Sequence, residues 1–462
     1  MQYQDIIHEY LQEHQQEMLA VLEKLISIPS VMADPAKHAP FGIELARALQ
    51  EMMKICQDYG FQTEMIQDCV GSADLDNKTP KLGILSHLDV VPAGEGWTHE
   101  PYCLTYEPES DKLYGRGTSD DKAPAVASLF AMKAIKDLKI PLKHGVRLIF
   151  GTNEENGSED LACYMQNRTL PPMVFTPDGD YPVINIEKGM IRLRISAKFT
   201  DDKSQILLLQ AGEVINAVPV KATAIVKNIS EKEILKFTKL FPEIKFIISE
   251  KNKTLRIIAQ GKSAHASTPE QGHNALTALI NLLAKVVHTG EQAECMKKLA
   301  FYYPYGEING ESLGISASDE ISGKLTLVCS LMRMSETDIE VYNDIRFPIC
   351  CKGKNIIKII QDKLAPMKCE AVICDEPHHT DENSEFVQTL LKIYEHVTGL
   401  KGECLAIGGG TYVHHIEGGV AFGATFPEID VHMHGADEFI KLEHFMLDAE
   451  MMALAITELC GA

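Results

Sequence analysis

Four short apolar runs, each followed within a few residues by an imidazole or a carboxylate, constrain this sequence more than any other feature. The runs are LGILS at 82–86, GVRLIFGT at 145–152, MVFTP at 173–177 and GGVAFGATFP at 418–427. Between the first three lie helical patterns: DKAPAVASLFAMKAIKDL at 121–138, and SEDLACYMQN at 158–167 with Ser158 as its cap. Strand and helix in alternation predict a mostly parallel sheet with helices on both faces, an α/β fold. Ahead of them, Ile6, Ile7, Tyr10, Leu11, Met18, Leu19, Leu22 and Leu25 repeat at helical spacing until Pro29, and a second amphipathic helix covers 41–59, closed by Gly60.

A chain of 462 residues exceeds what one hydrophobic core supports, so more than one domain is expected. The pattern changes after Gly189. Alternating segments such as IRLRISAKF and TLRIIAQG, with a long helix over 270–288, predict an antiparallel sheet with helices on one side. The buried style then returns in FVQTLLKIYEHV and GGVAFGATFP. The expected organisation is a discontinuous catalytic domain (1–188 and 380–462) interrupted by an inserted α+β lid domain (189–379).

The formal charge of −21 argues against nucleic acid, because no excess of Lys and Arg exists to replace phosphate counterions. No apolar run approaches the roughly 20 residues of a membrane helix. The N-terminal MQYQDIIHEYLQEHQQ has neither the basic nor the apolar region of a signal peptide. Twelve cysteines without a C-x-x-C pattern suit reduced thiols, so a cytoplasmic protein is expected.

Open α/β sheets bind ligands beyond the carboxyl ends of their strands. Those ends deliver His87 and Asp89, Glu154 and Glu155, Asp178, and His432 or His434, mixed ligands suited to zinc, manganese or cobalt. Each residue taken alone has a plainer reading. Asp178 precedes a glycine and suits a turn, Asp120-Asp121 suits a helix cap, paired glutamates suit solvent, and His434 competes with His432. Residues i and i+2 of a strand face the same way, so Asp89 can hydrogen-bond the far nitrogen of His87 and fix its tautomer.

The segments SHLDVVPAGEGW, YGRGTSDDKAP, GTNEENGS, TPDGDYP, GKSAHASTP and GGGTY before DVHMHGADE resemble, in order, the co-catalytic zinc peptidase clan. That clan includes aminoacylases, glutamate carboxypeptidases, succinyl-diaminopimelate desuccinylase and bacterial Xaa-His (carnosinase-like) dipeptidases. Length and the large insert make the chain most similar to the cytosolic dipeptidase branch. The resemblance implies two divalent metal ions, zinc first and manganese or cobalt as alternatives. His87 and Asp178 would hold one, Glu155 and His434 the other, and Asp120 would bridge them. It further implies Asp89 as the residue orienting His87, Glu154 as general base, and a cis peptide at Asp120-Asp121. His265 would donate to the oxyanion on closure of the insert. Arg346 would clamp the substrate carboxylate, with Asn216 and the backbone at Gly409 nearby; read without the resemblance, Arg346 equally suits a surface salt bridge. Ala123 departs from the clan's usual glycine, and His414 and His415 receive no role.

The function so implied is hydrolysis of the peptide bond in short unblocked peptides by a monomer. Its rivals are an N-acyl amino acid deacylase or a carboxypeptidase of the same clan, and a catalytically dead binding protein on the same fold. The dead version predicts a missing ligand or base, and none is missing.

Overall fold

The structure is a computed structural model that describes residues 1–461. These residues form two compact units: 1–186, 379–405 and 410–461 in the first, 187–378 and 406–409 in the second.

In the first unit four parallel strands lie in the order Gly145–Gly151, Pro80–His87, Met173–Thr176 and Val420–Ala421. Antiparallel strands flank them, Gln62–Ile66 and Val70–Asp74 on one side and Val183–Glu187 on the other, so the sheet is mixed with a parallel centre. Alternation along the strands feeds two cores. Ile84, Leu148 and Phe175 join the cluster made with the helices Gln4–Ile26, Lys122–Asp137 and Leu442–Cys460. Leu85, Ile149 and Val174 point the other way, into a cluster with Leu45, Leu161, Tyr164 and Tyr412. Helices thus cover both faces. The helix Lys122–Asp137 is buried from Lys122 to Ile135, which explains its alanine-rich sequence: small side chains let it pack on every side.

The second unit contains an eight-stranded antiparallel sheet running Lys245–Lys251, Thr254–Gln260, Lys221–Lys227, Ile206–Ala211, Thr326–Met334, Asp338–Phe347, Gly189–Lys198, Lys368–Asp375. Ile191, Leu193 and Ile195 alternate into its core, where Ala275–Leu283 and Gly353–Leu364 cover them.

Three expected elements differ. The helix over 270–288 shrinks to Ala275–Leu283, because Asn274 caps it by accepting from Leu276 N at 2.9 Å and Thr277 N at 3.0 Å. The apolar run at 418–427 gives only the strand Val420–Ala421. At Gly423 the backbone enters positive φ, and a Cβ there would lie 2.5 Å from the Tyr181 ring, so the chain leaves the sheet. Ser158 precedes its helix but does not cap it with its side chain: its own φ is +58°, and Asn153 Oδ1 accepts from Glu159 N at 3.0 Å instead.

Candidate active site

Within the first unit, His87 ends the strand Pro80–His87, and Asp178 lies two residues beyond Met173–Thr176. Glu154 and Glu155 occupy a single 3₁₀ turn after Gly145–Gly151. Because these three strands are parallel neighbours, their ends place the four side chains on one rim. Two loops complete the group. Asp120 Oδ1 lies 2.9 Å from His87 Nε2, and Asp120 Oδ2 lies 2.8 Å from His434 Nε2. His87 Nε2 is 3.6 Å from Asp178 Oδ2, and His434 Nε2 is 3.2 Å from Glu155 Oε1. His432 is turned elsewhere, with its ring edge against Phe439. The Asp120-Asp121 peptide bond is cis.

Asp89 departs from the expected arrangement. Its backbone carbonyl, at 2.9 Å, is the nearer partner of His87 Nδ1, and its carboxylate is farther, at 3.4 Å. A carbonyl can only accept, so Nδ1 carries the proton and Nε2 turns inward. The Asp89 carboxylate instead accepts from Glu154 N at 3.2 Å and Glu155 N at 3.0 Å. One residue therefore orients the imidazole through its main chain and the glutamate turn through its side chain. The strand periodicity placed Asp89 on the correct side but could not say which of its oxygens His87 would meet.

Crowded carboxylates set the charge states. Burial pushes Glu154 well up, with the Asp178 carboxylate adding to it, and burial lifts Glu155 to about 7, with Asp120 adding. Asp178 is raised by burial and then by Asp120. Burial also acts to raise Asp120, but hydrogen bonds with His434 and His87 outweigh it and hold the carboxyl low. His434 is held up to about 11, chiefly by its hydrogen bonds with Asp120 and Glu155. For His87 burial pulls down, and the contacts with Asp120, Asp178 and Asp89 overcome it.

His87, Glu154 and Asp178 offer ligand atoms all within 4.8 Å of one another, and so do Asp120, Glu155 and His434. His87 Nε2, Asp120 Oδ1 and Glu155 Oε1 are buried without a well-formed hydrogen bond. Polar atoms gathered in a buried space without well-formed bonds are costly unless a cation lies among them. Imidazole plus carboxylate suits zinc, manganese or cobalt, so the residues fit two divalent ions.

Several residues of the site were not legible in the sequence. Glu438 is fully buried and bonds the loop that carries Asp120. Asp121 Oδ2 accepts from His87 N at 3.0 Å. Asp160, pushed up to about 6 by burial, accepts from Asn153 N at 3.0 Å and from the Tyr412 hydroxyl at 2.6 Å, supporting the start of the glutamate turn. Lys122 donates to Leu25 O at 3.0 Å and Ile28 O at 2.7 Å from a fully buried position. A charged residue inside an otherwise apolar or glycine-rich segment was the one available signal.

Within the second unit, strand contacts gather the other expected residues. Ala217 and His265 form an isolated bridge, and Asn216 O accepts from Ala266 N at 2.8 Å. Ala266 O accepts from the Thr326 hydroxyl at 3.2 Å, and Thr326 pairs with Arg346 across the sheet. Arg346 Nε and Nη2 donate to the two oxygens of buried Asp344 at 2.6 and 3.0 Å, while Nη1 donates to Gly408 O at 2.7 Å. Arg346 is 5% exposed, which removes the surface salt bridge as its explanation. The glycine run thus meets Arg346 through the carbonyl of Gly408. His265 Nδ1 accepts from Ser267 N at 3.3 Å and lies 2.6 Å from the Ser267 hydroxyl.

The model of peptidase family M20/M25/M40 matches residues 83–458. The chain belongs to this family. The Beta-Ala-Xaa dipeptidase of Lactobacillus delbrueckii subsp. lactis is 32% identical over 453 residues, covering 96% of this chain and 96% of the relative. Two solved structures share the fold. Human carnosine dipeptidase 1 matches with a TM-score of 0.58 at 17% identity, over 99% of this chain and 98% of that one. The aminoacylhistidine dipeptidase of Vibrio alginolyticus matches with a TM-score of 0.58 at 16% identity, over 96% of each chain. As an M20 peptidase the chain is a hydrolase of the metallopeptidase class, and its two ligand groups agree with the two metal ions such enzymes use.

Proposed function

We propose that this M20 peptidase is a dipeptidase that hydrolyses short unblocked peptides at a centre of two zinc ions, with manganese or cobalt as the alternatives. The observation that carries the reading is Asp120, whose two oxygens reach into both ligand groups at 2.9 and 2.8 Å. His87 and Asp178 would hold one ion, Glu155 and His434 the other, and Asp120 would be shared between them. Two divalent ions there would supply a water acidic enough to lose its proton near neutrality and positive charge for the developing oxyanion. Glu154, on the same turn as Glu155, takes that proton and passes it to the leaving amine. Asp89 holds the turn and the His87 ring.

Arg346 binds the substrate carboxylate, its fork already fixed by Asp344 and Gly408. Asn216 and the backbone at Gly409 line the same substrate end. His265 donates to the oxyanion: with Nδ1 accepting from Ser267 N, its proton is on Nε2. The Beta-Ala-Xaa dipeptidase relative supports a dipeptide substrate. The cysteines among the described residues are free thiols, which supports a reducing cytoplasm.

A hydrolysis panel tests the reading: a dipeptide, a tripeptide and an N-acetylated amino acid, each offered to stripped protein reloaded with zinc, manganese or cobalt. Fast cleavage of the dipeptide is expected. Strong cleavage of the acetylated compound with none of the dipeptide would replace it with deacylation.

A further inference from the structure

The loops that deliver Asp120 and His434 lie outside helices and strands: 115–121 and 427–438 have no regular backbone ladder apart from their flanks. Something else must hold them to the accuracy that a ligand set requires. Resting on the metal reading above, we propose that Glu438 is a positioning residue that locks these two loops together and thereby sets the separation of Asp120 and His434.

The bonding is specific. Glu438 Oε1 accepts from Gly117 N at 3.0 Å, Ser119 N at 2.9 Å, Asp120 N at 3.3 Å and the Ser119 hydroxyl at 3.3 Å. Its Oε2 pairs with Arg116 Nη1. Arg116 Nη2 then returns to Gly435 O at 2.9 Å, the residue after His434. Gly115 N donates to Glu438 O at 3.0 Å. A closed path therefore runs from the Asp120 amide through one carboxylate and one guanidinium back to the His434 loop.

Both side chains are buried, Glu438 at 0% and Arg116 at 1% exposure. A buried ion pair is weak evidence for stability in itself, because desolvation offsets the attraction. Here the carboxylate takes three amides of one loop, those of Gly117, Ser119 and Asp120, that no helix or strand satisfies, which is what fixes a loop. Partners that orient ligands in this way usually cost 10- to 100-fold in metal affinity when removed.

Glu438→Gln is the test. It keeps the size and one acceptor oxygen but sets an amide donor against Arg116. The readouts are metal dissociation constants by titration calorimetry, the visible absorption of the cobalt-loaded protein, thermal unfolding of the metal-free protein, and the kcat and KM for a dipeptide. Expected are a loss of affinity of about 10- to 100-fold for at least one metal and an altered cobalt band. The metal-free variant melts lower, because buried Arg116 loses its counter-charge, but still folds cooperatively, and the kinetic loss falls in kcat. The double variant Arg116→Gln/Glu438→Gln, which restores a donor facing an acceptor, should recover part of the affinity. Wild-type affinity and an unchanged cobalt band in Glu438→Gln would overturn the proposal. So would a metal-free variant that has lost its fold, which would assign Glu438 to stability alone. A wild-type chain that binds no divalent ion would instead overturn the metal reading itself, before any substitution is made.

Discussion

Asp120 Oδ2 and His434 Nε2 lie 2.8 Å apart across 314 positions of sequence. The same carboxylate reaches His87 with its other oxygen, so one short side chain touches both imidazoles. Without a metal, each imidazole keeps a proton to satisfy that carboxylate.

This arrangement predicts that metal binding releases protons. His434 is held up to about 11 and His87 is also raised, so both are protonated at pH 7 in the metal-free protein. A ligating imidazole must be neutral. Binding should therefore release close to two protons, with Glu155, near 7, adding a fraction. Affinity should rise with pH through neutrality, by up to about 100-fold per pH unit if two protons leave. Calorimetry in buffers of different ionisation enthalpy measures this; binding with no proton release would contradict the assignment of the two histidines.

Glu154→Gln should retain two bound metals while kcat falls by about 10²- to 10⁴-fold, the usual contribution of general acid–base catalysis. Metal analysis of the purified variant and steady-state rates with a dipeptide check both halves. Near-normal turnover would remove Glu154 from its role as base.

Arg346→Lys keeps a charge beside Asp344 but loses the planar fork. A charge-assisted hydrogen bond of about 1.5–3 kcal/mol corresponds to a loss of roughly 10- to 150-fold in kcat/KM. Most of it should appear in KM, and only for substrates with a free carboxylate. Comparing a dipeptide with its C-terminal amide reads this out. An equal loss on both substrates would place Arg346 in structure, not recognition.

His444 gives a pH signature away from the ligand groups. Its ring lies 4.1 Å from that of Phe426, and burial, aided by Lys441, lowers it from 6.5 to about 4. The unfolded chain takes up this proton near pH 6.5, whereas the folded one does so only near 4. Stability is thus fully present above 6.5 and is lost as pH falls toward 4, by at most about 3 kcal/mol. Urea unfolding of metal-free wild type and His444→Gln between pH 4 and 7 should show a shallower acid loss in the variant. Parallel curves would exclude His444 as the source.

Legibility followed the range of the interactions involved. The parallel strands and the helices Gln4–Ile26, Ile43–Asp58 and Glu385–Thr398 follow from hydrophobic periodicity, a property of neighbours in sequence. The helix is shorter than the apolar pattern over 270–288 because Asn274 offers a cap inside it, and the strand at 420 is shorter than its apolar run because Tyr181 occupies the space beside Gly423. The partner that stops each element is either a single polar atom or a ring from far along the chain.

By itself the sequence determined that His87, Glu154, Glu155 and Asp178 stand at the ends of apolar strands, since strand length and alternation fix where a side chain emerges. Tertiary structure alone decided that His434, and not His432, meets Asp120, that the Asp89 carboxylate holds the glutamate turn, and that Glu438 ties Arg116 to the Asp120 loop. The reason is physical. Those contacts join irregular loops 65 to 322 residues apart, whose positions follow from the closing of the whole sheet and from the pairing of buried polar groups, not from any local preference.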